Sequence, residues 1–360
     1  MTRSAVLEFT PKGLYCPAGD FYVDPWRAVD RAVITHAHAD HARAGHGHYL
    51  ATDIAAPVLK HRLGHIQCDT IPYGETLQMG NATVSLHPAG HVPGSAQIRI
   101  EVGGEVWVVS GDYKTEHDGL STGFEPVRCH SFITESTFGL PAFRWRPQKE
   151  IFANINQWWA KNAEQSVVSI LGAYGLGKAQ RLLCGLDLSI GKVLTHGAVE
   201  GTNRVMRAQG ISLPQTEQVT PETDRKAQAG HLIIAPPSAL GSTWSRRFGA
   251  VSLAFASGWM GLRGVRRRRA ADRGFIMSDH ADWEGLNSTI AATGAENIYV
   301  THGYTDIFTK WLNSQGYNAR VVRTEFSGET EDGETENGEA EIGDVEGDEL
   351  REAQSESVPQ

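Results

Sequence analysis

The sequence predicts an α/β protein in two parts, a sheet-rich body interrupted by an inserted block with a parallel sheet, on three observations. Short apolar, β-branched runs recur and end in a polar residue followed by glycine or another polar residue, the pattern of strands running into loops at a sheet edge. Between about 145 and 278 the rhythm changes to strand-like runs alternating with helical ones, which argues for a parallel sheet with covering helices. After 278 the first pattern returns.

Taken in order, Ala32–Thr35, Thr83–Leu86, Val106–Ser110 and Phe132–Thr134 read as strands of the first part. In the middle block strand-like Val167–Leu171 precedes a helix through Lys178–Leu186, and Lys192–Thr195 precedes another through Gly201–Gln209. His231–Ala235 and Val251–Ala256 follow as further strands, and Ile298–Thr301 resumes the first pattern. The expected boundaries are 1–140 and 278–326 for the two halves of the body, 141–277 for the insertion and 327–360 for an acidic tail, with no internal repeat.

Composition narrows the setting. The opening MTRSAVLEFTPKG has no unbroken apolar stretch to act as a signal peptide, and the longest apolar run, Val251–Leu262, is too short to cross a bilayer. Cys16, Cys68, Cys129 and Cys184 lie far apart with no CxxC pair. That speaks against cysteine zinc sites and a disulfide framework, and for a reducing cytoplasm. The net charge of −9 hides an asymmetry. Residues 327–360 hold 13 acidic residues and one basic residue, Arg351, which leaves 29 acidic and 32 basic in positions 1–326. A weakly basic body can meet a polyanion. The tail lacks periodic apolar residues and reads as disordered, either a solubilising tail or a docking or DNA-mimicking arm.

The strongest chemical signal is His36-Ala-His38-Ala-Asp40-His41, directly after the strand-like Ala-Val-Ile-Thr. Two histidines one residue apart at a strand end can aim imidazoles at one metal, and Asp40 and His41, on the turn into a helix, can face a second. Imidazole plus carboxylate suits Zn²⁺ or Mn²⁺.

This hexapeptide resembles the signature of the metallo-β-lactamase superfamily, and further motifs follow in that family's order. Asp24 in Phe-Tyr-Val-Asp-Pro matches the first motif, which orients a metal-ligating histidine; His91 in Pro-Ala-Gly-His matches the third; Asp112 in Ser-Gly-Asp-Tyr matches the fourth, a carboxylate shared by both ions. Glu135, His280 and His302 are similar to motifs A, B and C of the β-CASP branch, whose inserted domain lies between motifs A and B. The resemblance implies a metallo-β-lactamase αββα sandwich with an inserted parallel-sheet β-CASP domain. It also implies two divalent ions, with His36, His38 and His91 holding one, Asp40, His41 and His302 the other, and Asp112 both. In such a site the ions polarise a scissile phosphate and lower the pKa of a bridging water, so that a hydroxide attacks while His280, held by Glu135, protonates the leaving oxygen.

Weaker signals surround this core. Gly172-Ala-Tyr-Gly-Leu-Gly-Lys178-Ala179 nearly spells a nucleotide-binding P-loop, but position 179 lacks the hydroxyl that holds Mg²⁺. Its backbone N–H groups and Lys178 either meet a nucleic-acid phosphate or serve helix packing. Arg263, Arg266, Arg267 and Arg268, with Arg246, Arg247, Arg269 and Arg273 nearby, form the densest positive patch, to be read as a phosphate contact or a solvated face. His302 resembles RNA-processing members, whereas Ala-Phe-Ala-Ser257-Gly-Trp is similar to an element of the DNA-repair branch. The HAHADHAR and SDHADW blocks most resemble the bacterial DNA-ligase-associated exonuclease branch. The resemblance thus favours DNA over RNA as partner and implies a DNA ligase and a helicase as associated proteins. His196 and the remaining histidines (His46, His48, His61, His65, His87, His117, His130 and His231) read as structural.

Overall fold

The structure is a computed structural model that describes residues 5–224, 228–268 and 271–325, with side chains at 266–268 excepted; the acidic tail and Arg269 lie outside the described residues. Three sheets organise the chain. The first runs β1 (Glu8–Thr10), β2 (Gly13–Cys16), β3 (Phe21–Val23), β4 (Arg31–Val33), β5 (His48–Ala51) and β6 (Cys68–Thr70) in that spatial order, with α1 (Ala56–Leu63) between the last two. It is antiparallel to β3 and parallel from there on. The second begins with the antiparallel meander β7 (Thr76–Met79), β8 (Ala82–Pro88), β9 (Ala96–Val102) and β10 (Glu105–Val109), to which β11 (Ser131–Ser136) adds in parallel.

The chain then leaves this body through α2 (Gln148–Glu164) into a third sheet. That sheet is built from β12 (Val168–Gly172), α3 (Lys178–Gly185), β13 (Val193–Thr195), α4 (Gly197–Ala208), β14 (Glu217–Gln218), β15 (Leu232–Ala235), α5 (Thr243–Arg246), β16 (Val251–Ala256), α6 (Arg263–Arg268) and β17 (Arg273–Phe275). Its strands are ordered β14-β13-β15-β12-β16-β17 and are all parallel. After α7 (Trp283–Thr293), β18 (Asn297–Gly303) returns to the second sheet beside β11, α8 (Thr305–Ser314) follows, and β19 (Asn318–Val321) closes the edge.

Side-chain alternation sets the layers. On β10, Trp107 and Val109 join Leu14, Phe21, Val33, Leu86 and Ile98 between the first two sheets, while Val106 and Val108 face Leu286, Ile290, Phe308 and Leu312 of α7 and α8. Helix α1 covers the outer face of the first sheet through Val58 and Leu59 against Ala32, Ile34 and Tyr49. The body is therefore the αββα sandwich expected. The third sheet carries its own core, with Trp158, Trp159, Leu182, Leu183 and Ile234 on one face and Val168, Ile170, Leu194, Ile233 and Phe248 on the other. Helix α4 docks it to the body, Met206 entering the cluster around Val58 and Leu59.

Two expectations shift. No helix follows His41: one turn closes from Ala42 N–H to the His38 carbonyl (2.8 Å), and Gly45 at φ +95° carries the chain away to β5. Helix α4 begins at Gly197 rather than Gly201, because the His196 side chain accepts the Ala198 N–H and caps an earlier start. Among the described residues no helix is long and apolar enough to cross a membrane.

Candidate metal centre

Strands β8, β10, β11 and β18 point the same way, so the residues that follow them gather at one edge of the second sheet. His91 follows β8, Asp112 follows β10, and Glu135 and His302 are the penultimate residues of β11 and β18. The first sheet delivers His36, His38, Asp40 and His41 from the loop after β4. Gly111 sits at φ +56°, and a Cβ there would fall 2.6 Å from Thr35 Cβ. Only glycine lets the Asp112 loop close on the His36 loop.

The hydrogen bonds reveal which ring nitrogens are bare. A carbonyl only accepts, so His38 donates Nε2–H to Leu176 O (3.2 Å) and His91 donates Nδ1–H to Asp279 O (2.9 Å). Their other nitrogens, His38 Nδ1 and His91 Nε2, face each other at 3.0 Å as two lone pairs. Asp24 accepts from Thr35 N–H (2.8 Å), Thr35 O–H (2.5 Å) and His41 Nδ1–H (2.7 Å). Thr35 Oγ1, having given its proton to Asp24, accepts from His36 Nδ1–H at 3.0 Å. Thr301 Oγ1 donates to Thr134 O and is the acceptor 3.4 Å from His302 Nδ1. In His36, His38 and His91 the nitrogen turned toward Asp112 or its neighbours carries a lone pair, and His36 Nε2 is buried with no hydrogen-bond partner. Lone pairs aimed at one another need a cation between them.

Two groups of donors lie within 4.8 Å of one another: His36, His38, His91 and Asp112, and His41, Asp112 and His302. Asp112 joins them, with Oδ2 3.5 Å from His36 Nε2 and Oδ1 3.1 Å from His302 Nε2. Asp40 Oδ2 lies 3.6 Å from His41 Nε2, on the side of the second group. These His and Asp sets suit divalent metal ions.

Electrostatics agree. Burial, and then His41, holds His36 well below the ordinary imidazole range, and burial followed by a neighbouring imidazole brings both His38 and His91 to about 4. All three are neutral near pH 7, the form in which an imidazole can ligate a metal. Burial also disfavours charge on His41, but Asp40, Asp112 and Asp24 outweigh it and raise that ring to about 10. A divalent cation among those carboxylates would supply the positive charge that they otherwise draw onto His41. Asp112 stays ionised although burial opposes it, because His41, His280 and His302 surround it.

Beside this pair of groups lies a third, Asp112, Glu135 and His280. Glu135 Oε2 accepts His280 Nδ1–H at 2.8 Å and Thr137 O–H at 2.6 Å, and Oε1 accepts Tyr113 N–H at 2.8 Å. The His280 ring packs on that of His91, 4.7 Å between centroids, and Trp145 Nε1 holds its carbonyl at 2.8 Å. The structure thus brings together Asp24, His36, His38, Asp40, His41, His91, Asp112, Glu135, His280 and His302.

The nucleic-acid candidates lie outside the His–Asp groups. Lys178 is 1% exposed, its ammonium 3.9 Å from Asp279 and over the Tyr174 ring. It is a buried ion-pair member instead of a surface phosphate contact, because it opens α3 against the body. Ser257 caps the turn at Trp259, and Arg263, Arg246 and Arg273 are exposed. Arg247 is half-buried and bonds Thr220 O. The side chains of Arg266, Arg267 and Arg268 lie outside the described residues. Among the described residues none of the histidines read as structural joins a ligand group. Sequence reading missed Thr35, Trp145, Leu176 and Asp279; of these only Asp279, next to His280, carried a local signal, whereas Leu176 acts through a backbone carbonyl.

No protein-family profile matches the chain. It is 30% identical over 313 residues to a probable DNA ligase of Opitutus terrae, a match covering 86% of this chain and 30% of that protein. It is 33% identical over 127 residues to the endoribonuclease ysh-1 of Neurospora crassa, covering 34% of this chain and 15% of the relative. The chain thus spans under a third of the length of either relative. A crystal structure of a protein of unknown function from Enterococcus faecalis shares the fold, with a TM-score of 0.57 at 11% identity over 82% of this chain and 80% of that one. With the sandwich, the third sheet and the His–Asp groups in place, the chain belongs to the β-CASP family of the metallo-β-lactamase fold and is related to its bacterial ligase-associated branch.

Proposed function

We propose that this protein is a two-metal phosphodiesterase, a DNA exonuclease acting in DNA repair in the cytoplasm. The observation that carries the reading is the buried His280–Glu135 pair beside Asp112, which a metal-only hydrolase of small molecules has no use for. Two Zn²⁺ or Mn²⁺ ions held by His36, His38, His91 and Asp112, and by Asp40, His41, His302 and Asp112, would polarise the phosphate and acidify a water. The chain's own part is positional and acid–base. Asp24 keeps the protons of His41 and, through Thr35, of His36 on the nitrogens away from the ions. His280, with Nδ1–H on Glu135, offers Nε2 as the acid that protonates the departing oxygen. The domain bounds 1–140, 141–277 and 278–326 follow the same reading, the insertion closing over the body to leave a cleft for one strand.

DNA is favoured by similarity to a protein named as a DNA ligase, in which this chain matches only a portion; a ligase, and with it a helicase, are the proposed partners. RNA processing is the second reading, supported by similarity to the endoribonuclease. End-labelled single-stranded DNA and RNA of one sequence, digested with Mn²⁺ and with Zn²⁺ beside an Asp112→Ala control, test both. Faster DNA digestion abolished by the substitution is expected, and its ladder gives polarity. Faster RNA digestion supports the second reading, and no cleavage of either with both ions bound refutes the nuclease assignment.

A further inference from the structure

The glycine-rich run between β12 and α3 resembles a phosphate loop, yet in the folded chain it closes on the metal centre. The Leu176 carbonyl accepts His38 Nε2–H at 3.2 Å. The Leu176 side chain, 2% exposed, sits in the body's cluster with Ala37, Val58 and Leu59. Gly177 adopts φ +87°, and a Cβ there would lie 2.2 Å from Val92 Cγ1, beside His91. Gln180 braces the loop from within α3, accepting Gly177 N–H at 2.7 Å and donating to Gly175 O at 2.8 Å. From the same helix Lys178 (3.9 Å) and Arg181 (3.1 Å) flank the Asp279 carboxylate, and Arg181 also donates to Ser278 O at 2.6 Å. The Asp279 carbonyl is the acceptor for His91 Nδ1–H.

Two of the three histidines of the first ligand group therefore take their orientation from backbone carbonyls that the third-sheet unit holds in place. His36 and His41 take theirs from Thr35 and Asp24, within the body. We propose that the Gly175–Gly177 loop and the first turn of α3 are a clamp that positions His38 and His91, so that the third-sheet unit controls occupancy of the first metal position alone. The inference rests on the proposed assignment of His36, His38 and His91 to one ion.

The test is Zn²⁺ titration of the full chain against a competing chromophoric chelator, with stoichiometry by elemental analysis and folding by circular dichroism. The proteins are wild type, Gly177→Ala, Lys178→Met and, as a control on an exposed ion pair of the third sheet, Lys192→Ala. Wild type and control are expected to bind two ions, and each clamp variant to bind one of them about 10–100-fold more weakly with the other unchanged. Lys178→Met keeps a long apolar stem and leaves Arg181 on Asp279, so it carries the test if the strained Gly177→Ala chain does not fold. A folded clamp variant that binds both ions like wild type overturns the proposal, as does equal weakening of both. Wild type that binds no ion overturns the metal assignment itself.

Discussion

Replacing Asp24 with Asn removes a charge and one acceptor from a carboxylate of the site that accepts three hydrogen bonds, without changing its shape. Asp24 sits at φ +41°, a conformation Asn tolerates as well as Asp, so the backbone is not the variable. Three donors converge on it: Thr35 N–H on Oδ1, and Thr35 O–H and His41 Nδ1–H on Oδ2. An Asn amide cannot serve both sides. With its oxygen toward Thr35 O–H and His41, its NH₂ meets the Thr35 N–H, and a buried donor left facing a donor costs about 1–3 kcal/mol. Turned the other way, the NH₂ meets His41 Nδ1, and the ring must move its proton to Nε2, the nitrogen that would ligate. Loss of such a supporting partner weakens metal binding about 10–100-fold, about 1.4–2.7 kcal/mol at 1.36 kcal/mol per decade. Either orientation thus costs a similar amount, seen as lower stability of the metal-free chain or as weaker binding at the second position. Urea unfolding of the metal-free protein and chelator competition together read both. Wild-type values in both assays would refute the assigned hydrogen-bond directions.

Two further outcomes follow from the same geometry. His280→Ala is expected to lower kcat about 10²–10⁴-fold while metal content stays unchanged; an aryl phosphodiester, whose leaving group needs no proton, should lose far less, and equal losses on both substrates would remove His280 from the acid role. For the metal-free chain, His38 and His91 at about 4 against an ordinary 6.5 mean that the unfolded chain takes up protons in that window and the folded chain does not. Stability then falls as pH drops from 6.5 toward 4. His41, raised to about 10, acts oppositely, its contribution being lost as pH rises from 6.5 toward 10. Thermal melts should peak near pH 6.5 and decline on both sides, and a melting temperature that climbs steadily into the alkaline range contradicts this.

Much of the site was legible because its chemistry is written in short spacings at strand ends. The His36–His41 block, His91, Asp112 and His302 each follow an apolar run, and those runs are β4, β8, β10 and β18. The strands β8, β12, β15 and β16 were legible for the same reason, since a run buried on one or both faces has a period that survives in one dimension. Less visible were α2, whose buried stripe of Ile151, Ile155, Trp158 and Trp159 ends on a polar Asn162, and β14 and β17, too short to show a period. The start of α4 depended on one cap.

What the sequence by itself determined is which candidate ligand residues the chain carries and the order of the elements that carry them, because both are properties of residue type and local spacing. Tertiary structure alone decided where the protons sit. Which nitrogen of His38 or His91 is bare depends on carbonyls 138 and 188 residues away, and a carbonyl has no residue type to read. The same holds for Lys178. In the sequence it is a cation after a glycine loop; in the fold the packing of α3 against the body buries it on Asp279, and burial, which no local pattern encodes, turns a candidate phosphate contact into part of the frame around the candidate metal centre.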